Sequence, residues 1–152
     1  MPVIDKRVVI DAPAAQIFAL IDDLKRQPVY APGVSRVEEV QRTAARIGDS
    51  YRVTYSVLGL GLPLQFVTTD WAHNERIGTR LEGSMGGTFA WRFTPQDHGT
   101  AVAVQVAYQV RGGIVGKAMN AWLLERMNEK NIERMLENVK LIAETEAEHG
   151  PE

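Results

Sequence analysis

The sequence predicts an α+β domain in which one long C-terminal helix lies across a curved antiparallel sheet. Three observations predict it. Residues 34–111 alternate apolar and polar side chains with a period of two, as half-buried strands do. Residues from about Ile114 to Glu146 switch to helical spacing. The connections between the predicted strands are too short for parallel crossovers, so the strands form a meander of hairpins. Helices segregated from a sheet define the α+β class.

The elements follow in order. Val3 to Ile10 is β-branched and loosely alternating, which reads as a first strand. Asp11-Ala12-Pro13 stops it, with Asp11 suited to capping a helix and Pro13 to its first turn. Ile17, Phe18, Leu20, Ile21 and Leu24 then recur at helical spacing, and Pro28 and Pro32-Gly33 cut off a short second helix around Val29-Tyr30. Strands are predicted near 34–42, 48–58, 63–73, 76–83, 87–95 and 100–111, which with the first makes seven. A single domain over 1–147 is expected, with 148–152 as a frayed tail.

Composition narrows the function. The chain has 152 residues, 45% of them hydrophobic, and a net charge of −2, which gives no basic excess for nucleic acid. It has no cysteine, so a disulfide framework, a thiolate metal site and a cysteine nucleophile are excluded. His73, His98 and His149 stand in predicted turns or the tail at no metal-ligand spacing. No nucleophile elbow, phosphate loop or HExxH motif is present. No cofactor and no metal are expected. The first residues lack the apolar run of a signal peptide and no stretch is long enough to span a membrane, so a cytoplasmic protein is expected.

Alternation assigns the inner face of the sheet. It places Tyr51, Val53, Tyr55 and Val57 inward, with Phe89, Trp91 and Phe93, and Val102, Val104, Val106, Tyr108 and Val110. Ile77, Thr79 and Leu81 join them. In the strand at 63–73, Leu64 and Phe66 share a face with Thr68 and Asp70, opposite Val67 and Trp71; Leu64 and Phe66 are read as inward. On the helix, Ile132, Met135, Leu136, Val139, Ile142 and Ala143 form the buried stripe, with Asn128 near its middle and Glu125 and Asn131 at its edges. Glu129, Lys130, Glu133, Arg134, Glu137, Lys140 and Glu144 lie opposite as a solvated face. Met119, Trp122, Leu123 and Met127 fall off the stripe. Their predicted cover is a bend packing them on the N-terminal helices, a second copy of the chain, or a membrane surface.

The order of elements resembles the helix-grip fold of the START-like (SRPBCC) superfamily, which includes polyketide cyclases/dehydrases, lipid-transfer domains and the birch-pollen allergen. Ile10-Asp11-Ala12-Pro13-Ala14-Ala15-Gln16-Ile17-Phe18, Asp22-Asp23 and Tyr30-Ala31-Pro32-Gly33-Val34 are similar to its bacterial members, as are Phe93-Thr94-Pro95 and Gly99-Thr100-Ala101-Val102. The resemblance covers nearly the whole chain, and its motifs specify a fold. It implies a cavity between sheet and helix for a hydrophobic small molecule: a lipid, quinone or polyketide-like compound held by a carrier or sensor. The alternative it implies is a cyclase/dehydratase-like enzyme, with Tyr51, Tyr55, Tyr108, Asp70 and Asn128 guiding proton transfer.

Joined to the face assignment, this gives a predicted ligand set of Tyr51, Val53, Tyr55, Phe66, Phe89, Trp91, Tyr108, Asn128, Ile132 and Met135. Because antiparallel strands reverse at each turn, 58–63, 83–87 and 111–116 fall at one end of the sheet, rich in glycine and bare aliphatics. That end is the predicted portal, with Leu58, Leu60, Leu62, Met85 and Ile114. The partner expectations are a transient membrane contact and a homodimer through Met119, Trp122 and Leu123.

Overall fold

The computed structural model describes residues 2–111 and 121–149. Seven strands form one sheet: β1 (Val3–Ile10), β2 (Val34–Gln41), β3 (Ser50–Val57), β4 (Leu60–Ala72), β5 (Arg76–Gly83), β6 (Met85–Pro95) and β7 (Thr100–Val110). Their order is β1-β7-β6-β5-β4-β3-β2, and every neighbouring pair is antiparallel. Helix α1 (Ala14–Asp22), a 3-10 turn (Leu24–Arg26) and α2 (Gln27–Tyr30) link β1 to β2, the two edges of the sheet. The long helix α3 covers Ala121–His149 of the described residues. It therefore continues past the predicted domain end at 147.

The core lies between the inner face of the sheet and α3. The predicted inward residues of β3, β5 and β7 are buried apart from Val110, which is half-buried. On α3 the stripe begins one turn earlier than expected, with Leu124 and Asn128 buried ahead of Met135, Leu136, Val139 and Ala143. Trp122 and Leu123 are exposed, and the Arg126 guanidinium stands 5.5 Å from the Trp122 ring centre. The helix is pinned by polar contacts along its length. Lys6 of β1 pairs with Glu129 and Glu133 at 2.9 and 3.1 Å, and Lys140 Nζ donates to the Val9 carbonyl at 2.9 Å. Gln16 Nε2 donates to the Ala143 carbonyl, and Asn138 Nδ2 to the Tyr30 carbonyl, both at 3.0 Å.

Four details differ from the sequence reading, each for a local reason. Asp11 does not cap α1; Pro13 occupies the cap position, and the Asp11 amide donates to Glu144 at 2.9 Å. In β2 the alternation is replaced by a period of three. Arg36 and Glu39 take positive φ, the register with β3 shifts twice, and Val34, Val37 and Val40 are the residues that pack inward. In β4 the register slips between Thr68 and Asp70, so the face parity changes at Thr69. Trp71 consequently turns inward, with its ring 5.6 Å from Phe18, while Asp70 turns outward and pairs with Arg76 at 2.7 Å. Finally, the 58–63 connection shrinks to a two-residue turn, Leu58-Gly59, both with positive φ, so Leu60 and Leu62 are strand residues.

Several glycines are fixed by close packing as well as by their backbone angle, Gly87 most tightly. Gly87 has φ +149°, and a Cβ built there would lie 1.9 Å from the Ala107 carbonyl oxygen on β7. Gly59 also has positive φ, +79°, but nothing within 4 Å. Gly87→Ala should cost about 3 kcal/mol in urea unfolding and Gly59→Ala about 1 kcal/mol. Equal losses would refute a steric role for Gly87.

Candidate functional site

The inner face is paved with aromatic rings. Tyr51 stacks on Phe66 at 5.0 Å, Phe66 meets Phe89 edge-on at 6.0 Å, and Trp91 stacks with Phe93 at 6.1 Å. This paving does not fill the space under α3. A half-enclosed cavity of about 80 Å³ remains, walled by residues of all seven strands, α2, the segment after it and α3. A smaller hollow of about 30 Å³ shares Gln27, Phe66 and Phe89 with it and reaches toward Tyr51 and Trp91. Those three side chains therefore form the partition between the two.

The ceiling of the main cavity is polar in a controlled way. The Tyr55 hydroxyl of β3 donates to Asn128 Oδ1 at 2.6 Å and accepts from Asn131 Nδ2 at 2.8 Å. Helical spacing puts both amides above the same tyrosine. Asn128 is buried, and its Nδ2 has no hydrogen-bond partner among the described residues. The same holds for the buried Tyr108 hydroxyl and for Gln27 Oε1. All three side chains line the main cavity.

Most of the predicted ligand set is brought together. Tyr55, Phe66, Phe89, Tyr108, Asn128, Ile132 and Met135 line the main cavity, while Tyr51 and Trp91 line the smaller hollow. Val53 lines neither and is a core residue. Of the predicted portal, Met85 is buried and lines the cavity. Leu62 is buried to 3% exposure against Tyr55, Leu60 is half-buried and Leu58 is exposed at the turn; none of these three reaches the cavity. Ile114 and Met119 lie outside the described residues. The expected gathering of connections at one end is visible in the backbone. Ser56 N donates to Gly33 O, Ser84 N to Pro63 O and Arg111 N to Ser84 O.

Ala31 and Pro32 line the cavity, in the 28–33 segment that the sequence pattern expects at the mouth; Gln27 also lines it and was not singled out. Gln27 sits in a four-residue helix, too short for any periodicity to reveal its inner face. Ion pairs gather elsewhere. Arg42 bridges Asp22 and the buried Asp49 at 3.6 and 3.0 Å beside the smaller hollow. Among the described residues no group of His, Asp and Glu side chains converges as metal ligands. No described helix is long and apolar enough to cross a membrane.

A scan against family models matches residues 1–144 to "Polyketide cyclase / dehydrase and lipid transport". The chain belongs to this family. Solved structures show the same fold. TTHA0849 from Thermus thermophilus superposes with a TM-score of 0.78 at 22% identity, over 91% of this chain and 94% of that one. The ZhuI aromatase/cyclase from Streptomyces sp. R1128 gives 0.77 at 18% identity, over 99% of both chains. A START superfamily protein from Mycobacterium smegmatis gives 0.77 at 16%, over 94% and 97%. No curated protein matches the sequence. The helix-grip architecture is thus the fold of this family member, and its cavity occupies the place between sheet and helix that the resemblance implied.

The cavity's environment sets the chemistry of the four tyrosines in the chain. Burial pushes the Tyr55 phenol up to about 12, with the Asn131 hydrogen bond opposing and Tyr108 adding to the rise. Burial raises Tyr30, Tyr51 and Tyr108 as well; Gln27 opposes the rise at Tyr51 and Asn128 at Tyr108. Unfolded phenols lose their protons near pH 10, while the folded protein holds them more tightly. Folding therefore loses stability as pH rises from about 10, for Tyr55 until about 12. At pH 11 the native protein should show much less phenolate absorbance than the urea-unfolded protein, and its urea midpoint should fall as pH rises from 10 to 11. A smooth titration centred near pH 10 with native circular dichroism would contradict the buried phenols.

Proposed function

We propose that the protein binds a hydrophobic small molecule in the cavity under α3, as a carrier or sensor. The observation that carries this reading is the cavity ceiling. Tyr55, Asn128 and Asn131 form a hydrogen-bonded cluster within an apolar enclosure, and three more polar atoms there have no partner among the described residues. A core selected only for stability would replace such groups, because each unsatisfied buried polar group costs about 1–3 kcal/mol. Sites for small molecules combine apolar walls with a few placed polar groups. The family description, lipid transport together with polyketide cyclisation and dehydration, names activities suited to such a cavity.

At about 80 Å³ the cavity is smaller than the roughly 300–1,000 Å³ of a drug-sized pocket. Loading a lipid, quinone or polyketide-like compound therefore requires the walls to move. The entry proposed is the end of the sheet near Pro32 and Met85, both of which line the cavity. Leu58 and Leu60 remain outside that rim. Met85 and Met135 are the pliable side chains of the lining, methionine being the least shape-specific of apolar residues.

The chemistry favours holding over conversion. Asp70, the one carboxylate assigned to the cavity by alternation, is exposed and paired with Arg76. The raised phenols are poor proton donors and acceptors near neutral pH.

Native mass spectrometry after exposure to lipids, quinones and polyaromatics should show a one-to-one adduct. Extraction should return the compound unchanged. A compound recovered with one water fewer would favour the dehydratase alternative, and a protein that takes up nothing would refute the carrier.

A further inference from the structure

The unpartnered atoms define more than a wet cavity, because their hydrogen-bonding polarity is fixed by their neighbours. Tyr55 accepts a hydrogen from Asn131 Nδ2, so its own single proton goes to Asn128 Oδ1. That orients the Asn128 amide and leaves Nδ2, a donor, turned to the cavity without a partner among the described residues. The buried Tyr108 hydroxyl lines the same cavity and has no partner at hydrogen-bond distance among the described residues. On the α2 side, Gln27 Oε1, an acceptor, is likewise buried without a partner among the described residues, and Gln27 lines the cavity. Gln27, Tyr108 and Asn128 are each more than nine-tenths buried. The wall between these ends is apolar, with Leu64, Phe66, Leu81 and Phe89.

No Lys, Arg, His, Asp or Glu lines the main cavity among the described residues. A carboxylate, phosphate or ammonium group would lose its hydration there and gain no counter-charge.

We infer that the cavity takes an uncharged ligand with an apolar middle, presenting a hydrogen-bond acceptor to Asn128 Nδ2 and Tyr108 and a donor to Gln27 Oε1. This rests on the ligand-binding reading above and narrows it: a hydroxylated ketone or quinol-type compound fits, and a free fatty acid does not. Gln27, Phe66 and Phe89 also border the smaller hollow, so the donor end points toward the partition between the two spaces.

The test uses matched aromatic probes with the full chain at pH 6, followed by calorimetry. 4′-Hydroxyacetophenone carries both groups. 4′-Methylacetophenone lacks the donor, 4-ethylphenol lacks the acceptor, 4-ethyltoluene lacks both, and 4-hydroxybenzoate is an anion. The two-ring homologues built on naphthalene are measured alongside, so that probe size does not decide the outcome. Wild-type protein should bind the bifunctional ketone about five- to tenfold more tightly than either single-function probe, by one buried hydrogen bond each. It should bind the benzoate at least tenfold more weakly. Gln27→Met should remove the advantage given by the phenol, so that 4′-hydroxyacetophenone and 4′-methylacetophenone bind the variant with equal affinity. That pattern is one a merely destabilised protein would not give.

Equal affinity for 4-ethyltoluene and the hydroxyketone would overturn this inference while leaving an apolar-ligand carrier intact, since water would then satisfy the polar atoms equally well. Benzoate binding as tight as the ketone would overturn the claim of neutrality. Binding of no probe in either ring series would overturn both this inference and the carrier reading.

Discussion

A single helix laid over a twisted sheet cannot close against all of it, and this mismatch governs the molecule. Where α3 runs beside β1, α1 and α2, small and branched side chains close the gap: Val139 and Ala143 are fully buried. Nearer its start the helix presents Asn128, Asn131 and Ile132 in place of a tight apolar row, and the sheet answers with Tyr55 and Tyr108. The cavity is the space those residues fail to fill. The salt bridges from Lys6 to Glu129 and Glu133 join α3 to the edge strand over this stretch. Exposed pairs of this kind contribute little to stability; their role here is placement.

The interior is accordingly divided. One part is a dense aromatic core, with Phe18, Trp71, Phe93 and Trp91 in successive ring contacts. The other is a chamber whose polar atoms are only partly satisfied. Buried polar groups left without partners lower stability, and their concentration in one chamber separates them from the part of the core that sustains the fold. A ligand that completed those hydrogen bonds would recover the loss on binding.

Much of this architecture was legible in the sequence because long strands obey a period of two and the helix a period of 3.6. That is why Tyr55, Tyr108, Asn128 and Met135 were placed around the cavity. The errors fall where a bulge resets parity. At Thr69 it turned Trp71 inward and Asp70 outward, removing the only carboxylate that alternation had offered as an acid. In β2 two positive-φ residues convert alternation into a three-residue repeat of valines. Leu62 was misplaced because the turn at Leu58-Gly59 is only two residues long. Gln27 lies in a helix of four residues, where no pattern can develop.

The central claim is that the space under α3 is a binding site and not a packing defect. Ala31→Leu tests it most directly, because Ala31 is buried and lines the cavity, so the larger side chain grows into that space. Calorimetry with 2-acetylnaphthalene, beside the urea midpoint of each protein, is the measurement. The substitution should reduce binding at least tenfold while the unliganded protein keeps or gains stability. Undiminished binding by a folded Ala31→Leu protein would contradict the claim, since the ligand would then be held somewhere other than this cavity.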